Sequence, residues 1–136
     1  MKVIEYLENN DVRRIVFMNA AILTAVGTFE FQQIDIAEAT TAIHQMEMGN
    51  VNGGMGYEFL SAIGHQGSAD AFNDAFSSEG CRAIHCVEVN RIKYQMQKGD
   101  LAIVVKMKER QQEGCILTSE EMNRVGYDFY ALWRTA

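Results

Sequence analysis

His65 is the residue best placed by its neighbours to do chemistry. An apolar stretch, Phe59-Leu60-Ser61-Ala62-Ile63, breaks through Gly64 into the start of a helical segment, and His65 stands at that break. A strand-to-helix turn exposes free backbone N–H groups, which together with the helix dipole favour a bound anion. An imidazole there can give a proton to a leaving oxygen or offset developing charge. A surface turn histidine has the same spacing, so at this level both roles stand. His44, inside a helical stretch, and His85, in an irregular one, read as structural.

A second constellation is basic. Asn90-Arg91 opens one strand-like stretch and Arg110 closes the next. If the two stretches pair as a hairpin turning near Gly99, both arginines lie at one end of the pair. Two guanidiniums there make a phosphate clamp, because the planar fork donates bidentate hydrogen bonds. Glu113 follows Arg110 closely enough to orient it or to act on a nearby proton. The plain alternative is an exposed hairpin with a weak ion pair. Asn19 is a polar stop after an apolar strand, suited to a pocket or simply to a turn.

Other chemistries are poorly supported. Cys81, His85 and Cys86 are close in sequence, but Cys86 directly follows His85, there is no CxxC pair and no fourth ligand is apparent, so no metal site is expected. No P-loop, GxGxxG, HExxH or GxSxG occurs. Gly53-Gly54-Met55-Gly56 lacks the following Lys-Ser/Thr and reads as a loop. An RNA-recognition sheet with stacking aromatics is not indicated either.

The elements that must position these residues follow from periodicity and turn chemistry. Val12 to Met18 is β-branched and aromatic and predicts a first strand, and Thr28 to Ile34 a second. Asp35, with Glu38 three residues on, predicts a capping box opening a helix from Ile36 to about Met48. Glycines and asparagines between Gly49 and Gly56 end it. Tyr57 to Ile63 predicts a third strand, and Ser68 is the expected cap of a helix from Ala69 to about Phe76. Val87–Gln97 and Leu101–Arg110 predict strands joined by a hairpin at Lys98-Gly99-Asp100. Thr118 and Glu121 predict a short helix ended by Gly126, and Tyr127–Trp133 a last strand. The expected class is α+β: a single domain with a central mixed or mostly antiparallel sheet and two main helices.

Composition bounds the rest. The 136 residues are 48% apolar and 22% charged, enough for one packed core, and there is no proline, so turns rest on Gly, Asn, Asp and Ser. Eighteen acids against twelve bases give a net charge of −6, which argues against a binder of long DNA or RNA. The distribution is uneven. Residues 15–81 carry eight acids and no Lys or Arg, whereas residues 82–110 carry seven cations against three acids. Three cysteines, no apolar leader at the start and no run approaching the ~18 apolar residues of a membrane span lead to the expectation of a cytoplasmic protein with reduced thiols.

Four segments together carry a resemblance: Asn19-Ala20 with Thr24 to Phe29; Ser61-Ala62-Ile63-Gly64-His65; Asn90-Arg91 with Gly99-Asp100; and Arg110 with Glu113-Gly114 and Ile116-Leu117-Thr118. In order and approximate spacing, from about residue 13 onward, the chain resembles the small viral and prophage ring nucleases that act as type III anti-CRISPR proteins. The resemblance implies a homodimer with a pocket for cyclic tetra-adenylate. It implies metal-independent cleavage by in-line attack of a ribose 2′-hydroxyl, leaving linear di-adenylate with a 2′,3′-cyclic phosphate and shutting off type III CRISPR signalling. It matches His65 to the catalytic histidine, Glu113 to the active-site glutamate, Arg91 and Arg110 to phosphate-binding arginines, and Asn19 to a polar pocket residue. Gly64 and Ser68, at the same turn, complete the expected ligand-binding set. No cofactor, no long nucleic acid and no membrane is expected. A sponge or sensor that binds the ring without cutting it is the alternative.

The chain also departs from that pattern. Residues 1–12 look like an N-terminal extension, and the 49–56 and 77–88 segments look longer than usual. Gly67 stands where the family often has the first residue of a Ser-Thr pair.

Overall fold

The computed structural model describes residues 3–9, 12–19, 28–47, 58–77, 87–92, 94–108 and 119–135. In chain order the elements are α1 (Val3–Asn9), β1 (Arg14–Met18), β2 (Phe29–Ile34), α2 (Ile36–Glu47), β3 (Glu58–Ala62), α3 (Gln66–Phe76), β4 (Asp100–Met107), α4 (Ser119–Val125) and β5 (Tyr127–Arg134). The five strands form one mixed sheet in the order β2-β5-β4-β1-β3. β1 runs parallel to both β3 and β4, and β5 runs antiparallel to β4 and β2. The class is α+β in a single domain, with α2 and α3 the two longest helices, as the pattern predicts.

Alternation along the strands divides the core into two layers. On one face Ile15, Phe17, Leu101, Ile103, Val105, Phe129, Ala131 and Trp133 pack under the helices. On the other, Val16, Met18, Ala102, Val104 and Leu132 form a second cluster with Met96. β4 is buried on both faces over its first six residues, which its apolar run Leu101-Ala102-Ile103-Val104-Val105 requires of a central strand. The segment expected as an extension is folded into the first layer: Val3, Tyr6, Leu7 and Val12 are buried, and the Tyr6 ring stacks on Trp133 at 5.0 Å.

The capping box of α2 forms in both directions. The Glu38 N–H donates to Asp35 Oδ1 at 2.7 Å and the Asp35 N–H to Glu38 Oε1 at 3.4 Å. Gly126 ends α4 at φ 90°, a left-handed conformation that glycine adopts without steric cost.

Two expectations are corrected. α3 begins at Gln66 rather than Ala69, and its cap is His65 rather than Ser68. The stretch 87–97 is not a hairpin partner of β4. Among its described residues a single isolated parallel bridge, Val89 to Ile63, is its ladder pairing with the sheet, while both edges of β4 are taken by β1 and β5. A strand buried on both faces belongs between two partners, whereas 87–97 alternates polar with apolar residues and suits only an edge.

Candidate functional site

Because β1 and β3 run parallel in register, their carboxyl ends lie together: Met18 opposite Ala62, with Asn19 and Gly64 just beyond. Crevices outside the carboxyl ends of parallel strands are where open α/β sheets bind ligands. Here a side chain bridges the two strand ends. Asn19 Oδ1 accepts the Gly64 N–H at 2.8 Å, and a Cβ built on Gly64 would stand 3.3 Å from that same oxygen. The glycine is what lets the amide come this close.

His65 follows in extended conformation (φ −154°, ψ 158°) and caps α3. Its Nδ1 accepts the Ser68 N–H at 3.3 Å, and Ser68 Oγ stands 3.3 Å from both ring nitrogens. With Nδ1 as acceptor, the neutral ring carries its proton on Nε2. Helix geometry leaves the N–H groups of Gln66 and Gly67 without intrahelical acceptors, so the turn keeps anion-attracting donors. Ser68 is almost wholly buried. It therefore fixes the ring from below rather than facing a ligand.

Arg91 completes the described site. Its Nε donates to the Gly64 carbonyl at 2.9 Å, beside the histidine, and its side chain is otherwise exposed. Burial, and secondly the Arg91 charge, lower the His65 pKa below the ordinary histidine value. The resting imidazole is consequently neutral near pH 7.

Of the expected site residues, Asn19, Gly64, His65, Ser68 and Arg91 are therefore brought to one place. Arg110 and Glu113, with the Cys81, His85 and Cys86 segment, lie outside the described residues. The hairpin that was to set Arg91 and Arg110 side by side does not form, so that geometric argument for a clamp falls. Among the described residues no group of three or more His, Cys, Asp or Glu is placed to hold a metal ion, and no helix is long and apolar enough to cross a membrane. His44 Nδ1 stands 3.5 Å from Glu47 Oε2, one turn along the same helix.

Sequence reasoning missed what holds Arg91. Asn90 donates its backbone N–H to the Ile63 carbonyl at 2.8 Å and its Nδ2 to the Ser61 carbonyl at 2.7 Å. Ser61 Oγ in turn donates to the Glu88 carbonyl. The available signal was an asparagine interrupting an otherwise strand-like run.

Residues 15–129 match the family described as STIV B116-like. ORF117 of Acidianus two-tailed virus is 34% identical over 107 residues, 78% of each chain. YddF of Bacillus subtilis is 26% identical over 120 residues, 88% of this chain and 96% of its own. Among solved structures, B116 of Sulfolobus turreted icosahedral virus covers 89% of this chain and 99% of its own at 20% identity and a TM-score of 0.51, a likeness of fold. The match takes in the sheet from Ile15 to Phe129 and every described site residue, and the chain belongs to the STIV B116-like family.

Proposed function

We propose that the chain is a metal-independent phosphodiesterase that opens cyclic tetra-adenylate. The observation that carries this reading is the convergence of His65, Arg91, Asn19 and the α3 N-terminus at the carboxyl ends of β1 and β3. That arrangement suits a phosphodiester. Arg91 offsets the charge on the non-bridging oxygens, and the helix N-terminus adds backbone donors.

The ring brings its own nucleophile, so the protein's task is to hold a ribose 2′-hydroxyl in line with phosphorus. The 2′-oxygen forms a bond to phosphorus and the bond from phosphorus to the 5′-oxygen breaks. The 5′-oxygen takes a proton from His65, and the 2′-hydroxyl proton leaves to Glu113 or solvent. The product ends in a 2′,3′-cyclic phosphate. A second copy of the chain, related by a two-fold axis, matches the symmetry of the ring and supplies a second cut, giving two linear di-adenylates. Removing this messenger silences type III CRISPR signalling.

A second reading, a binder that holds the ring without cutting it, is favoured by the neutral, cap-forming state of His65. One experiment separates the two. Cyclic oligoadenylates of several ring sizes are incubated with EDTA-treated protein, and binding and cleavage are measured together. Cleavage of the tetramer ring, lost in His65→Ala with binding retained, supports the enzyme. Binding without cleavage by the wild type supports the sponge. Neither binding nor cleavage refutes both.

A further inference from the structure

We propose that Asn90 is a positioning residue that holds Arg91 against the Gly64-His65 turn, and that Ser61 is its counterpart on β3. The inference rests on the phosphodiester site described above, but its geometry is independent of the ligand.

β3 is an edge strand, so its outer backbone groups need partners. A regular neighbouring strand would supply backbone N–H groups in ladder. Here the 88–91 segment meets the Ser61, Ile63 and Gly64 carbonyls, at and just beyond the end of β3, largely with side chains instead. The Asn90 amide caps the Ser61 carbonyl, the Asn90 backbone N–H caps the Ile63 carbonyl, and Arg91 Nε caps the Gly64 carbonyl. The Ser61 hydroxyl returns one bond to the Glu88 carbonyl. Ser61 is buried and Asn90 half-buried, whereas Arg91 is exposed.

The consequence is a division of labour along three residues. Asn90 commits its backbone N–H to the Ile63 carbonyl and an Nδ2–H to the Ser61 carbonyl, which ties its amide to the edge of the sheet. Among the described residues Arg91 is bonded through Nε alone, which leaves both of its Nη groups for an anion at the turn. An exposed arginine tethered by one bond has little to fix it, because its long side chain keeps much of its rotamer freedom. The Asn90–Ser61 lock restricts where that chain starts. Without the lock, the guanidinium loses its register with His65 even though no ligand contact has been removed.

The test reads His65 as a reporter of where the Arg91 charge lies. The groups facing the imidazole in the described structure are Arg91 and the Ser68 hydroxyl and N–H. His65 is titrated by NMR in the wild type, Arg91→Gln, Asn90→Ala and Ser61→Ala, alongside thermal unfolding of each. Arg91→Gln raises the His65 midpoint by removing the charge. Asn90→Ala raises it in the same direction by at least half as much, and Ser61→Ala does so to a smaller extent. If Asn90→Ala and Ser61→Ala lower the melting temperature but leave the His65 midpoint at the wild-type value, Asn90 is only structural and the proposal is overturned. Should Asn90→Ala not fold, Ser61→Ala alone decides by the same readout. The titration needs no ligand, so it stands if the wild type proves inactive on cyclic tetra-adenylate. If the wild type does cleave the ring, Asn90→Ala also brings turnover down to the Arg91→Gln level.

Discussion

Gly64→Ala offers a sharp test of the site's geometry, because its outcome depends on one neighbour. Gly64 does not have the positive φ of Gly99 and Gly126, so its backbone is one that alanine adopts without strain. Removing a glycine from the unfolded chain then stabilises the fold by about 0.4–1 kcal/mol. Against this, the new Cβ stands 3.3 Å from Asn19 Oδ1 and 3.4 Å from Asn19 Nδ2. The amide must retreat by a few tenths of an ångström, which weakens the 2.8 Å bond it accepts from the Gly64 N–H. Losing that bond costs about 1 ± 0.5 kcal/mol. The two effects nearly cancel, and Gly64→Ala is expected to change stability by less than about 0.5 kcal/mol. In an Asn19→Ala background the three nearest atoms to the new Cβ are gone, and only the favourable effect remains. The same substitution then stabilises by about 0.4–1 kcal/mol. Urea unfolding of the four proteins with a common slope gives the cycle, with an expected coupling of about 1 kcal/mol between the sites. Additivity to within about 0.3 kcal/mol refutes the contact. Destabilisation by Gly64→Ala in both backgrounds refutes the placement of the turn.

Three further outcomes follow from the same structure. His65 has its folded pKa lowered, so the unfolded chain binds the extra proton first; the stability it confers is whole above the ordinary histidine pKa of about 6.5 and is lost as pH falls through the folded value. His65→Asn keeps a strong N-cap without the titration, so its stability matches wild type near pH 8 and lacks that acid-side loss; an unchanged pH profile counts against the assignment. Tyr94→Phe removes the hydroxyl that donates to Asp100 Oδ2 at 2.5 Å and accepts from Arg14 Nη1 at 2.5 Å, leaving a buried carboxylate short of a donor, and costs about 1–3 kcal/mol by urea unfolding; a loss under about 0.5 kcal/mol refutes the network. Leu7→Ala, at a fully buried position of α1, costs about 2–5 kcal/mol; a cost below about 1 kcal/mol means that α1 is detachable from the core.

How far the sequence was legible varied with how local the determining interactions are. The capping box at Asp35 and Glu38 is set by residues three apart, and both of its bonds form. β1, β2 and β5 each carry enough β-branched or aromatic residues to declare themselves. The pairing of β4 is non-local, and there the reading failed. A hairpin at Gly99 is the short-range solution for two adjacent strand-like runs. The apolar run of β4 instead demands burial on both faces between β1 and β5. The N-terminal helix was legible in principle, since Val3, Tyr6 and Leu7 keep helical spacing, but they are interleaved with acids and read as an extension. At the site, His65 and Arg91 were found by residue type, while the cap was assigned to Ser68 on propensity. Histidine is not among the favoured capping residues, and only the extended backbone at 65 turns its Nδ1 toward the Ser68 N–H.

That cap bears directly on the chemistry. To act as a general acid His65 must first be an imidazolium, and the added proton must go on Nδ1, the atom that accepts the Ser68 N–H at 3.3 Å. Donor would then face donor, so ionisation and capping exclude one another. Burial and the Arg91 charge both oppose the extra proton in the free protein. A phosphodiester at the turn reverses the second of these, because its negative charge offsets Arg91 and favours imidazolium. The proposed cleavage therefore requires the ligand to do two things at once: draw a proton onto His65 and open the first turn of α3. A bound phosphodiester that leaves the Ser68 N–H bonded holds His65 neutral, donating from Nε2, and the chain acts as a sponge. The amide resonance of Ser68, followed through a titration with a cyclic tetra-adenylate whose 2′-hydroxyls are blocked, distinguishes these states. A large shift that grows as pH falls marks the acid. A resonance that stays at its free position across the pH range refutes protonation at Nδ1, and with it the role of His65 as proton donor.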